Sequence, residues 1–317
     1  MLLLEYTVVA SLVVFASVKA SHYIDLIDKT TKLSGAFLGG VLLSAVTSLP
    51  ELFTSLSATV FLHKPALCIG NILGSNLFNI AMLSTLALLS IRSFRNVPIA
   101  RGNVIVALYL IAIYGIMLLD FTGVLDVDIL SVNIITFIFI VIYAFAVRHL
   151  SGETEVPDED AQEEVGLSLN QIIVRFIIAS IAIIGLSIVL TYITDDIAQR
   201  YNLGVGLAGA IFLGVATSLP EVASTIALFR IRNYDIAVGN IVGSNLFNFL
   251  VLCIADIVSF RQSVYDYADG NVVKLLIFGT VATLFTVPML KFRGWTIRVP
   301  CAICIIACYF AFLLVEF

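Results

Sequence analysis

Residues 47–51 read TSLPE inside the apolar run VTSLPELFTS (46–55), and the same five letters return at 217–221 inside ATSLPEVAS (216–224). Each copy places a proline and an ionisable carboxylate, Pro50–Glu51 and Pro220–Glu221, where a buried helix favours neither. A second pair follows: GNILGSNLFN at 70–79 recurs as GNIVGSNLFN at 239–248. The offsets are 170 and 169 residues, about half the chain, so the sequence makes the same unusual choice once in each half.

The setting makes that choice costly. Of the 317 residues, 60% are hydrophobic and 12% charged, and the mean hydropathy is +1.08. The charges collect in short gaps between long apolar runs, the pattern of a polytopic membrane protein. Runs long enough to cross about 30 Å of hydrocarbon fall at 2–20, 35–62, 66–89, 103–119, 130–147, 169–193, 204–229, 235–258, 271–290 and 297–315. The first lacks a basic leading region and carries Glu5, so it reads as a retained span, not a cleaved signal.

The ten spans divide into five before and five after RHLSGETEVPDEDAQEEVG (148–166), which holds seven acids, a proline and two glycines. This stretch reads as a solvated linker; it lacks the regular acidic spacing of a folded calcium loop. The repeated motifs occupy the second and third spans of each half. An odd number of spans separates equivalent helices, so the second copy enters the membrane in the opposite direction. The expected fold is therefore an all-α membrane protein of ten transmembrane helices. It consists of two inverted five-helix repeats, 1–147 and 169–317, joined by an acidic linker at 148–168, with broken helices at the motifs. With the amino terminus outside, the inner loops collect 13 lysines and arginines and the outer loops four. Both termini are then outside and the linker cytoplasmic, in a plasma (inner) membrane.

Proline in a helix removes a donor and pushes away the carbonyl four residues earlier. Pro50 should free carbonyls around Val46 and Thr47, and Pro220 those around Ala216 and Thr217. Broken backbone at bilayer depth is tolerated only where protein or a polar cavity covers it. A proline alone would suggest no more than a packing kink. A glutamate beside it adds a charge costing about 2.5–3.5 kcal/mol on insertion scales, and no lysine or arginine falls at matching depth. A buried pair of carboxylates must be protonated or hold a cation.

Helical spacing fills in the surroundings. Thr47, Glu51 and Ser55 share a face at i, i+4, i+8, as do Thr217, Glu221 and Thr225; so do Asn71, Ser75 and Asn79, and Asn240, Ser244 and Asn248. Four spans each carry an oxygen-rich stripe, with Gly70, Gly74, Gly239 and Gly243 permitting close backbone approach. Two glutamates and the Thr47 and Thr217 carbonyls supply the lower end of calcium's usual six to eight oxygens. Soft metals are not favoured: the three histidines lie in loops, and Cys301, Cys304 and Cys308 line one face of the last span as small packing residues.

The paired TSLPE and GNIxGSNLFN segments resemble the two alpha repeats of the sodium/calcium exchangers, in the calcium/cation antiporter superfamily, prokaryotic type. The resemblance spans both halves. It implies four ion sites between the second, third, seventh and eighth helices. Glu51 and Glu221, with the Thr47 and Thr217 carbonyls, would hold calcium. Thr47, Ser48, Ser75, Thr217, Ser218 and Ser244, with carbonyls near Ser44 and Gly214, would help bind sodium, and Asn79 and Asn248 would complete the polar centre. Two departures stand out: Val46 and Ala216 where the family often has glycine, and Asn248 where many relatives carry aspartate. The asparagine argues against co-transported potassium.

The expected function is a secondary-active calcium antiporter, sodium-coupled, with no catalytic residues, no cofactor, no nucleic acid and no protein partner implied. The transported calcium and sodium ions and the lipid bilayer are its partners. Proton/calcium exchange on the same glutamates is the alternative. A cation channel fits less well, because an inverted repeat in one chain favours alternating access. An intramembrane enzyme would need a nucleophile–histidine pair or a metal-ligand histidine motif, and the spans contain neither.

Overall fold

The computed structural model describes residues 1–31, 43–124, 127–129, 132–151, 168–259, 263–267 and 270–316. Most of the acidic linker and the start of the expected span 35–62 lie outside these. The first half contains α1 (Leu2–Thr31), α2 (Leu43–Thr47), α3 (Leu49–Leu56), a π-helical stretch Ser57–Phe61, α4 (Pro65–Leu89), the short α5 (Ile91–Phe94), α6 (Arg101–Phe121) and α7 (Ile134–Ser151). The second contains α8 (Leu169–Arg200), α9 (Val205–Ala208), a π-helical stretch Gly209–Leu213, α10 (Gly214–Thr217), α11 (Leu219–Arg230), α12 (Tyr234–Val258), a 3₁₀ turn Val264–Tyr267, α13 (Gly270–Lys291) and α14 (Trp295–Glu316).

Among the described residues, seven helices are long and apolar enough to cross a membrane, or eight if the bent pair Val205–Thr217 and Leu219–Arg230 counts as one. The protein is an integral membrane protein. Two of its helices form the centre: 67% of the best apolar window of α4 and 72% of that of α12 is buried in protein. The long helices α1 and α8 bury only 22% of theirs and pack on each other at the periphery. The central pair carries the repeated GSN motifs, so the polar groups of those motifs are shielded from hydrocarbon by other helices.

Local chemistry sets the boundaries. The α8 start is a capping box, with Gln171 N–H donating to Ser168 Oγ (3.4 Å) and Ser168 N–H to Gln171 Oε1 (3.1 Å). The expected span 130–147 is displaced: two short antiparallel strands, Asp128–Ile129 and Val132–Asn133, occupy its start. Asn133 explains the shift, because its Oδ1 accepts the Ile135 N–H at 2.9 Å and caps the helix at that point. Its backbone N–H donates to Asp256 Oδ2 (3.1 Å), and Asp256 also accepts from Thr136, Ser263 and the Val264 N–H. A buried carboxylate with four donors fastens the end of α12 to the start of α7. The buried Arg298 does the same work elsewhere, donating to the carbonyls of Phe94, Val97 and Phe292.

Candidate functional site

Both TSLPE copies break a helix, one residue earlier than the proline alone suggests. Helix α2 ends at Thr47 and α3 begins at Leu49, with Ser48 between them at φ −89°, ψ 12°. Helix α10 ends at Thr217 and α11 begins at Leu219, with Ser218 at φ −85°, ψ −2°. The second break bends the chain by 44°. Pro50 and Pro220 thus stand in the first turn of a new helix, where a missing N–H has no helical acceptor to lose. The proline starts a helix here; it does not kink one from inside. Thr47 and Thr217 become the last residues before each break, where helix carbonyls run out of helical donors.

Glu51 and Glu221 occupy the same first turns, where the N-terminal end of a helix favours negative charge. Both are fully buried. Each is held by the other half: Ser48 Oγ donates to Glu221 Oε1 (3.1 Å) and Ser218 Oγ donates to Glu51 Oε1 (3.2 Å). The remaining oxygens, Glu51 Oε2 and Glu221 Oε2, have no hydrogen-bond partner. Among the described residues no lysine or arginine pairs with either; the one ion pair there, Lys64–Asp195, lies elsewhere.

The polar stripes on α4 and α12 brace these first turns. Asn71 Nδ2 donates to Thr54 Oγ1 (2.9 Å), Ser55 Oγ (2.9 Å) and the Glu51 carbonyl (3.4 Å). Asn240 Nδ2 donates to Thr225 Oγ1 (3.1 Å) and the Glu221 carbonyl (3.3 Å). Ser75 Oγ donates to the Gly214 carbonyl at 3.1 Å, whereas Ser244 Oγ is buried without a partner. Thr217 Oγ1 donates to the Leu213 carbonyl (2.9 Å) and to Asn71 Oδ1 (3.4 Å). Ser44 lies in α2, and its side chain is outside the described residues. Backbones meet closely at this centre: a methyl added at Gly70 would overlap the Gly206 backbone, and one at Gly74 that of Ala210.

The structure therefore joins Thr217, Ser48, Ser218, Glu51, Glu221, Ser75 and Gly214 through direct cross-contacts. Asn79 and Asn248 belong to a neighbouring group of four buried amides whose other members are Asn76 and Asn245. Those two do not fall on the i, i+4, i+8 stripes, so helical spacing passes them over. Their signal is duplication itself: GSN appears in both motifs. All five cysteines are free thiols.

Known proteins share this architecture. The sequence profile of the sodium/calcium exchanger protein family matches residues 3–151 and 171–317. The inner membrane protein YrbG of Escherichia coli is 28% identical over 251 residues, covering 76% of this chain and 74% of YrbG. A crystal structure of the H+/Ca2+ exchanger CAX superposes with a TM-score of 0.72 at 15% identity, over 99% of this chain and 88% of that one. The sodium-calcium exchanger NCX_Mj superposes with a TM-score of 0.64 at 20% identity, over 99% of both chains. At these identities the two structures establish the fold, and the match over both halves places the chain in the sodium/calcium exchanger protein family.

Proposed function

We propose that this exchanger-family chain is a secondary-active calcium antiporter that exchanges calcium for sodium by alternating access. One observation carries the reading. Two fully buried carboxylates from the two halves are each held through one oxygen by the other half's serine, and each keeps a second oxygen unpartnered. Ionised and empty, such a site has a charge of −2 and resists crossing low dielectric. One divalent ion, or several monovalent ones, neutralises it and permits the switch between sides. Exchange is then obligatory without any chemical step.

The oxygen-only donor set suits a hard cation. Glu51, Glu221 and the terminal carbonyls at Thr47 and Thr217 serve calcium. Ser48, Ser218, Ser75, Ser244, Asn79, Asn248 and the carbonyls at Ser44 and Gly214 complete sodium shells. The neutral oxygens favour sodium as the coupling ion, because a proton carrier needs little beyond the carboxylates and water. Proton coupling on the same glutamates is the second reading, favoured by one point of chemistry: carboxylates without a basic partner can be discharged by protons. Under either reading acid inhibits, since protonation removes the charge that holds the cation.

The same proposal includes ten membrane crossings in two inverted halves, 1–147 and 169–317, both termini outside and a cytoplasmic 148–168 linker. The lysine and arginine distribution supports that orientation. Calcium flux in proteoliposomes, under separately imposed sodium and pH gradients, tests the coupling. A sodium gradient at fixed pH should drive calcium the opposite way; full-rate exchange against a pH gradient with no response to sodium sinks the sodium assignment. For orientation, a cysteine placed at Asp158 in a cysteine-free background should resist impermeant reagents added to intact cells, and labelling from outside would reverse the topology.

A further inference from the structure

Two asparagines outside the expected ion site, Asn76 on α4 and Asn245 on α12, form a reciprocal bridge between the two central helices. Asn245 Nδ2 donates to the main-chain carbonyl of Asn76 (3.0 Å), and Asn76 Nδ2 donates to the main-chain carbonyl of Asn245 (3.3 Å). A main-chain carbonyl can only accept. Each bridging amide must therefore present its NH2 to that carbonyl and its oxygen the other way. Those oxygens are taken: Asn79 Nδ2 donates to Asn245 Oδ1 (3.0 Å) and Asn248 Nδ2 donates to Asn76 Oδ1 (2.9 Å). With their NH2 groups committed, Asn79 and Asn248 are left with Oδ1 free, and both oxygens are buried without a partner. All four side chains are at most 1% exposed, so water does not compete for these bonds.

We infer that Asn76 and Asn245 are positioning residues that fix which end of the Asn248 and Asn79 amides faces the cation. The polarity is set at two main-chain carbonyls and passed through one amide to the next. An amide turned by half a rotation would offer N–H hydrogens to a cation, an interaction of the wrong sign. The inference rests on the proposed cation site, in which Asn79 and Asn248 contribute carbonyl oxygens. It assigns to the GSN asparagines the role that second-layer hydrogen bonds play around metal ligands, where their loss costs roughly 10- to 100-fold in affinity.

The test is a set of double-mutant cycles, reading sodium affinity by titration of the purified full chain. Asn245→Ala should weaken sodium binding roughly 10- to 100-fold, and calcium binding less, since the proposed calcium ligands do not include Asn79. In an Asn79→Asp background the same substitution should change affinity by no more than about twofold, because a carboxylate has two acceptor oxygens and no orientation to set. Asn76→Ala should behave likewise, coupled to Asn248→Asp and not to Asn79→Asp. Should either alanine variant fail to purify, serine at that position replaces it, being too short to span the bridge. Equal losses in both backgrounds would mean mere packing and overturn the inference, as would wild-type affinity in Asn245→Ala and Asn76→Ala. A wild-type protein that binds no sodium removes the site and the relay together, whereas wild-type binding with uncoupled variants removes the relay alone.

Discussion

The two halves carry nearly the same motif letters, yet the two broken helices are not in the same bonded state. Ser75 of the first half closes onto the Gly214 carbonyl of the second, while its repeat partner Ser244 has no hydrogen bond. The π-helical stretch follows the break in the first half (Ser57–Phe61) and precedes it in the second (Gly209–Leu213). Gly70 abuts the Gly206 backbone, but a methyl at its partner Gly239 would meet the Asn103 side chain, with Oδ1 at 3.1 Å. Lys64 pairs with Asp195, which Gln199 also holds at 2.7 Å, whereas the position matching Lys64 is the uncharged Asn233. What is shared without exception is the core: two glutamates, two crossing serines and four bridging asparagines. Duplication thus fixes the buried polar contacts around the two glutamates and leaves the surrounding contacts free to differ, as the proposed alternating access requires.

The comparison breaks first if the glutamates are unequal. Glu51→Gln and Glu221→Gln should each cut calcium flux by more than about 100-fold while the protein still purifies as a single species, since an amide is cheaper to bury than an unpaired carboxylate. Robust flux in either variant would dismantle the shared site. The glycines come next. Gly70→Ala forces backbone against backbone and should destabilise by about 1–3 kcal/mol, whereas Gly239→Ala asks only an amide side chain to yield and should cost less. Thermal unfolding in detergent measures both, and equal shifts would erase the packing asymmetry.

The serines sharpen the contrast further. Ser75→Ala removes a made bond to a buried carbonyl and should cost about 1 kcal/mol; Ser244→Ala removes none in this state and should leave stability nearly unchanged. Both should raise the sodium concentration needed for half-maximal exchange more than they weaken calcium binding, because the proposed calcium ligands include neither. A matched effect on stability would show that Ser244 has a partner after all. The smallest change is expected at Lys64→Ala. Lys64 is 30% exposed and Asp195 retains Gln199, so the loss should stay near 0.2–1 kcal/mol, with transport preserved. Loss of transport there would make the ion pair part of the conformational switch.

From its letters alone the chain declared a membrane protein, because 60% hydrophobic residues in long runs leave no other solvent for its surface. The doubled TSLPE and GSN segments declared the polar centre, because an unpaired carboxylate and a proline at bilayer depth need a reason, and two copies exclude accident. Helical spacing then found the stripes through Asn71, Ser75 and Asn79 and through Asn240, Ser244 and Asn248, since i, i+4 periodicity is a property of one helix. What it could not find lay between helices. Asn76 and Asn245 miss the stripe by a residue and matter only through each other's main-chain carbonyls, a contact across 169 positions of sequence. The crossing of Ser48 to Glu221 and Ser218 to Glu51 is likewise a fact of how two broken helices meet. The Asn133 cap that moved α7 depended on a local hydrogen bond that competes with helix continuation, whereas the hydroxyls at the Ser48 and Ser218 breaks bond to the other half's glutamate. Periodicity fixes which residues share a face; only packing decides which faces meet, and which end of a buried amide is left without a partner.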